Sequence, residues 1–330
     1  MARERTDLYD STTLHSGGLE PAGTIFRSTH PDLVVSKQKL RRAEVIELVR
    51  EKRETANQTL GFASRPFVLC GLPVKRPRPG VLLHERRNGR FLLQVTGHPS
   101  YGLPWGQDRL VPLYLATLAV RQQSETITFN SGAEMLDTFG MQQGGSQYRR
   151  LIEAFQRVFG ATIFFGTDTQ LKTPVFHQVR FNFMSEARIW YGRNFDQLNL
   201  PGECQNVIVL TSEFYREITS HPIPTDLQAA KALSCAPAAL DFYTWLSYRC
   251  FIAKGEERIP LFGEFGLVSQ LGSGEYRRPR KFRECLENWL GLVKTLWPTC
   301  PARISGDGMR LIVAPAAALA VLPGGDHVCA

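Results

Sequence analysis

Glu125-Thr-Ile-Thr-Phe-Asn-Ser-Gly-Ala-Glu-Met-Leu-Asp-Thr-Phe-Gly140, continued by Met141-Gln-Gln-Gly-Gly-Ser-Gln-Tyr-Arg-Arg150, reads as strand, helix, glycine turn and the start of a second helix. Thr126 to Phe129 is β-branched and aromatic, which suits a short strand. Ser131 is placed to cap a helix through Phe139, and Gly140 to Gly145 ends it. From Ser146 to Phe159 the apolar residues Tyr148, Leu151, Ile152, Phe155, Val158 and Phe159 recur at helical spacing, so one face is built for burial. Upstream, Arg109 to Gln122 has Leu110, Leu113 and Leu118 at the same period. Downstream, Ala161 to Phe165 and Val175 to Phe183 are strand-like.

The same order returns near residue 237. Ala238 to Ala253 reads as a helix, Arg258 to Leu261 as a strand and Phe262 to Leu271 as a helix. Gly272 to Glu275 is a turn, and Pro279 suits the first turn of the helix that follows. That helix carries Phe282, Leu286, Trp289, Leu290 and Val293 on one face. Gly306-Asp-Gly308 then marks a tight hairpin. Glu125, Ile127, Leu136, Phe139 and Gly140 fall 132 positions before Glu257, Ile259, Val268, Leu271 and Gly272. Tyr148-Arg149-Arg150 falls 128 before Tyr276-Arg277-Arg278, after a shorter second turn. The order predicts two copies of one module, too long and too few for a solenoid.

Helix, turn, helix and hairpin is the winged-helix order, in which the second helix of the pair enters a major groove. That helix needs a buried apolar side and an exposed polar side, with Arg and Lys for guanine edges and phosphates. In the first copy the outward candidates are Ser146, Gln147, Arg149, Arg150 and Arg157, with Lys172 on a wing loop running from 166 to 173. The N–H groups around Gly144 and Gly145 add a phosphate site at the helix start. In the second copy they are Arg277, Arg278, Arg280, Lys281 and Arg283, with Arg303 and Arg310 on the wing. A basic residue on an exposed helix is ordinarily just solvated; repetition at matched positions lifts these above that expectation.

Charge agrees with a polyanionic partner. The 330 residues carry a net +8, and residues 61–110 alone hold eight Lys or Arg against two Asp or Glu. Lys75, Arg76, Arg78, Arg86 and Arg87 in that segment are candidate auxiliary phosphate contacts. Around Asn88-Gly89 the flanking apolar runs predict a hairpin.

Other chemistries find no support. Gly140 to Ser146 lacks the lysine of a phosphate loop and joins two helices rather than a strand and a helix. No His-x-His pair, CxxC or HExxH is present, so neither a metal-dependent nickase nor a zinc site is expected. The seven scattered cysteines fit a reducing cytoplasm. No apolar run reaches the roughly 20 residues of a membrane span, and the first residues lack the apolar core of a secretory signal. The expectation is a cytoplasmic, non-enzymatic protein with no cofactor and no membrane contact.

Several blocks resemble the plasmid-encoded RepA family of replication initiators. They are Gly102-Leu-Pro-Trp-Gly-Gln-Asp-Arg through Val120, Phe139 to Gly145 with Arg149-Arg-Leu151, Ala236 to Arg249, and Phe262 to Arg283. They occur in order over about residues 60–315. Trp105 stands where the family often has another aromatic, and Thr117-Leu-Ala119 departs from a more acidic form of that helix. The resemblance implies theta-type initiation. Such proteins bind repeated duplex sites at an origin, help open an AT-rich region and recruit a host initiator and the replicative helicase. It also implies a protein that represses its own promoter as a homodimer and initiates as a monomer.

Taken together, the expected fold is α+β with two tandem winged helices. Residues 1–60 form a tail and charged helix, 61–198 the first winged helix, 199–315 the second and 316–330 a tail. Three rivals to the initiator reading are separable. A transcriptional regulator would act at a single palindrome rather than at direct repeats. A nickase or primase-like enzyme would nick DNA when given metal. A protein-interaction module would show little salt-dependent DNA affinity.

Overall fold

The computed structural model describes residues 37–167, 178–189, 206–263, 265–272 and 278–320. In chain order its elements are α1 (Lys37–Glu54), β1 (Leu60–Ala63), α2 (Arg65–Leu69), β2 (Leu83–Asn88), β3 (Phe91–Thr96), a 3-10 turn (Gly106–Arg109), α3 (Leu110–Gln122), β4 (Thr126–Phe129), α4 (Gly132–Thr138) and α5 (Gly145–Phe159). There follow β5 (Thr162–Thr167), β6 (Gln178–Asn182), β7 (Met184–Arg188), β8 (Asn206–Leu210), α6 (Ser212–Ser220), β9 (Ile223–Asp226), α7 (Leu227–Leu233) and α8 (Pro237–Ile252). The chain closes with β10 (Glu257–Pro260), α9 (Leu267–Leu271), α10 (Pro279–Leu296), β11 (Arg303–Ile304) and β12 (Arg310–Val313). The mixed α+β class is the expected one.

Two three-stranded antiparallel sheets share one connectivity. The first has the order β4-β8-β7 and the second β10-β12-β11. In each, the strand between the first two helices of the unit pairs with the unit's last strand. Alternation decides which face is covered. Ile127, Phe129, Ile208 and Leu210 turn inward in the first sheet, and Ile259, Leu311 and Val313 in the second. Around the first sheet, Tyr114 of α3 meets Phe129 edge-on at 5.8 Å and Phe139 at 6.4 Å. In the second unit Trp289 of α10 lies 6.2 Å from Phe242 of α8 and 5.9 Å from Phe282.

Pairing corrects two expectations. Strands β5 and β6 do not form the first unit's wing. They join β2 and β3 in a separate four-stranded sheet of order β2-β3-β5-β6, and β7 and β8 complete the first unit's three-stranded sheet with β4. Residue 199 is therefore not a boundary between units, because β8 beyond it pairs with both β4 and β7. The charged helix expected within residues 1–60 is present as α1, and it is held in place together with the chain around Ala317 and Ala318. Helix α1 packs on α7 and α10, β1 pairs antiparallel with β9, and Arg53 donates to the carbonyls of Ala317 and Ala318. Residues 1–36 and 321–330 lie outside the described residues. The predicted β2–β3 hairpin is present, with Asn88 opposite Phe91 and Gly89 at φ +57°. A side chain would strain that left-handed turn.

The two units meet on a buried ion pair. Arg109, just ahead of α3, bonds the Asp241 carboxylate of α8. Its remaining donors reach the carbonyls of Gly106 at 2.7 Å, Leu72 at 3.1 Å and Pro73 at 2.9 Å. Positions 109 and 241 are separated by the same 132 residues as the matched positions of the repeat.

Candidate nucleic-acid interface

Helix α5 is amphipathic because its apolar residues recur at three- and four-residue spacing and so share one face. Leu151, Ala154, Phe155 and Val158 are buried, each large side chain contributing roughly 1.5–3 kcal/mol of burial. Ser146, Arg149 and Arg150 are exposed, and Gln147 is partly so. No ion pair engages Arg149 or Arg150 among the described residues. The N-cap is Gly144 in an extended conformation, with no side-chain cap. The first N–H groups of the helix thus keep the donor capacity that suits an anion. Gln143 is held by Asp137 at 3.0 Å, which fixes the turn leading into the helix.

Arg157 does not belong to this surface. Its Nε and Nη2 donate to the Asp108 carboxylate at 2.6 and 3.0 Å, and its guanidinium lies 5.7 Å from the Trp105 ring centroid. The pair is largely covered, with side-chain exposures of 15% and 6%. Arg157 is a structural clasp between α5 and the 3-10 turn. Lys172 and Arg277 lie outside the described residues.

Helix α10 buries Phe282, Leu286, Trp289, Leu290 and Val293. Arg278 is its exposed N-cap residue and Pro279 begins the helix. Arg280 and Lys281 are exposed but share Glu284, at 3.1 and 3.4 Å. Arg283 lies against the hairpin turn, its guanidinium carbon 2.7 Å from where a Cβ on Gly308 would stand. Gly308 has φ +64°, so both its backbone and this contact require glycine. Arg303 pairs with Glu256 at 2.7 Å, and Arg310 is exposed on the wing.

In the 61–110 segment, Lys75, Arg76 and Arg78 are exposed, and Arg87 pairs with Glu85 at 3.2 Å. Arg86 is corrected. Its Nε is shielded from solvent with no hydrogen-bond partner among the described residues, and burial lowers its pKa to about 10, so only part of its guanidinium is open to a phosphate. Nearby, burial and then the Arg86 charge push the His84 pKa down to about 3.

The sequence reading missed Arg258 and Glu256 on the second sheet, and it missed β7–β8. The signal for β8 was present as the run Asn206-Val-Ile-Val-Leu210. Among the described residues no helix is long and apolar enough to cross a membrane.

The scaffold is thus a pair of like-connected units, each with an amphipathic helix whose exposed start is basic. Residues 104–259 match the family described as plasmid encoded RepA protein, so the resemblance carried by the motifs holds over that segment. Two solved structures are similar in fold at 13% identity. One, of domains 2 and 3 of RctB as a selenomethionine derivative, has a TM-score of 0.48 and covers 69% of this chain and 85% of that chain. The other, also of RctB domains 2–3, has a TM-score of 0.45 and covers 73% of this chain and 92% of that chain. No curated protein sequence matches this chain.

Proposed function

We propose that this chain is a plasmid replication initiator that binds repeated duplex sites at an origin through two winged helices. In this reading α5 and α10 are the two recognition helices, and β7–β8 and β11–β12 the wings. The observation that carries it is the exposed start of α5, where Arg149 and Arg150 stand clear of acidic partners beside an uncapped helix end. The match to plasmid encoded RepA proteins supports the replication role. Opening of an AT-rich region, recruitment of a host initiator and helicase, and dimeric self-repression follow from the family resemblance. The protein acts in the cytoplasm by binding rather than catalysis and uses no cofactor.

A salt titration on a duplex from the plasmid origin tests the reading. If six to eight phosphates are neutralised, log K falls against log salt with a slope of about −5 to −7. Wild-type protein that binds the origin no better than unrelated duplex contradicts it. Protection of direct repeats beside an AT-rich stretch separates initiation from simple gene regulation.

A further inference from the structure

The outer face of the second sheet is a second electropositive surface. Register places Arg258 of β10, Ile312 of β12 and Arg303 of β11 in one row. Arg310 lies on the same face, two positions along β12. These side chains line a shallow open concavity together with Ser305 and Asp307. Arg258 and Arg303 keep 65% and 54% side-chain exposure. One carboxylate bridges them. Glu256 Oε2 lies 2.7 Å from Arg303, and its Oε1 lies 3.6 Å from Arg258. The hydrogen bond from Arg303 is the largest of the effects that hold the Glu256 pKa below its ordinary value. The Asp307 carboxylate is occupied within the turn, accepting from the Ser305 hydroxyl at 2.5 Å and the Met309 N–H at 2.9 Å.

The first unit shows that the fold does not demand arginine here. The matching face of its sheet carries Thr126, Val209 and Glu186 in one row, and Thr128, Val207 and Arg188 in the next. Arg258 stands 132 positions after Thr126. Three guanidinium groups on an open sheet face, with one carboxylate held between two of them, is the arrangement a phosphate replaces. Arginine forks accept carboxylate and phosphate in the same geometry. The face is continuous with α10, because Arg283 packs on Gly308 at the turn from which Arg310 emerges.

We propose that Arg258, Arg303 and Arg310 bind backbone phosphates of duplex DNA, and that Glu256 is a resident anion which DNA displaces. This rests on the DNA-binding reading above and adds a contact surface and a brake to it. An open, shallow face suits an extended polyanion better than a small anion, which needs enclosure.

The test is fluorescence anisotropy on an origin duplex over a range of salt, with full-length E256Q and R258Q/R303Q/R310Q beside the wild type. Melting curves verify that each variant is folded. E256Q is expected to bind several-fold more tightly, with a steeper slope. The triple variant is expected to lose about 0.9 from the slope for each phosphate contact removed and to bind at least tenfold more weakly at low salt. Wild-type affinity and slope in both folded variants would overturn the inference while leaving the DNA-binding reading intact. Absence of salt-dependent binding by the wild type sinks that reading first. A polyglutamate peptide that binds the face, with DNA affinity unchanged in the triple variant, also overturns the proposal.

Discussion

The two units have the same connectivity and opposite distributions of charge. In the first, the basic residues at the start of α5 have no acidic partner among the described residues, and the sheet face is Thr, Val and one Glu with one Arg. In the second, Arg280 and Lys281 on α10 share Glu284, and the arginines lie on the sheet. Exposed pairs of this kind contribute about 0–1 kcal/mol each, so a phosphate competes with them easily. Under the proposed function, one scaffold thus offers two ways to meet the same polymer. The first unit would present a helix to base edges. The second combines a partly neutralised helix with a sheet suited to backbone.

The contrast depends on the seam holding both units in one body. Asp241→Ala leaves the buried Arg109 charge without its partner, and such a loss costs about 3–5 kcal/mol. Chemical denaturation is expected to show this as the largest destabilisation of any single change discussed here. A loss below about 1 kcal/mol would mean that the pair does not join the units.

Two arginines on α5 sharpen the comparison further, because they are predicted to fail in different ways. Arg157→Ala leaves Asp108 largely buried and unpaired, which costs about 2–3 kcal/mol of stability, while the folded fraction binds DNA normally. Arg149→Ala is expected to leave stability within about 0.5 kcal/mol and to weaken origin binding by roughly 1–3 kcal/mol. Thermal melts and anisotropy on the same samples separate the two. In the second unit, neutralising Arg280 and Lys281 together should weaken binding less than Arg149→Ala, since Glu284 already offsets part of their charge. An equal or larger loss would erase the proposed difference between the helices.

The effect smallest at neutral pH is acid sensitivity near β2. His84 donates from Nε2 to the Gly71 carbonyl at 2.9 Å, and its pKa in the folded protein is about 3. An unfolded histidine takes up a proton near pH 6.5. The unfolded state therefore binds more protons between pH 6.5 and 3, and stability declines as pH falls through that window. His84→Gln should flatten this decline below pH 6.5 without changing behaviour above it. Denaturation midpoints at pH 7, 5 and 4 measure the difference.

Local patterns carried most of what was legible in the sequence. Helix α5 and its exposed start could be read because apolar spacing and a glycine turn are properties of neighbouring residues. The β11–β12 hairpin was legible through Gly306-Asp-Gly308. The first unit's wing was not, because β5 and β6 intervene and leave for another sheet, and strand partners are chosen by long-range packing. Arg157 was misassigned for a related reason. It lies seven residues, nearly two whole turns, beyond Arg150 and so on the same side of α5. At that height the helix meets the 3-10 turn carrying Asp108. Spacing along one helix reports direction but not what another segment places there. Arg303 and Arg310 were legible as hairpin residues, whereas Arg258 beside them was not, because it arrives on a strand from a distant part of the sequence.

Hydroxyl-radical footprinting of origin DNA at saturating protein tests the central claim most directly. Two helices in two grooves predict two protected patches, with Arg149→Ala thinning one and Arg278→Ala the other. A single patch, or a footprint that both variants leave untouched, would contradict the account.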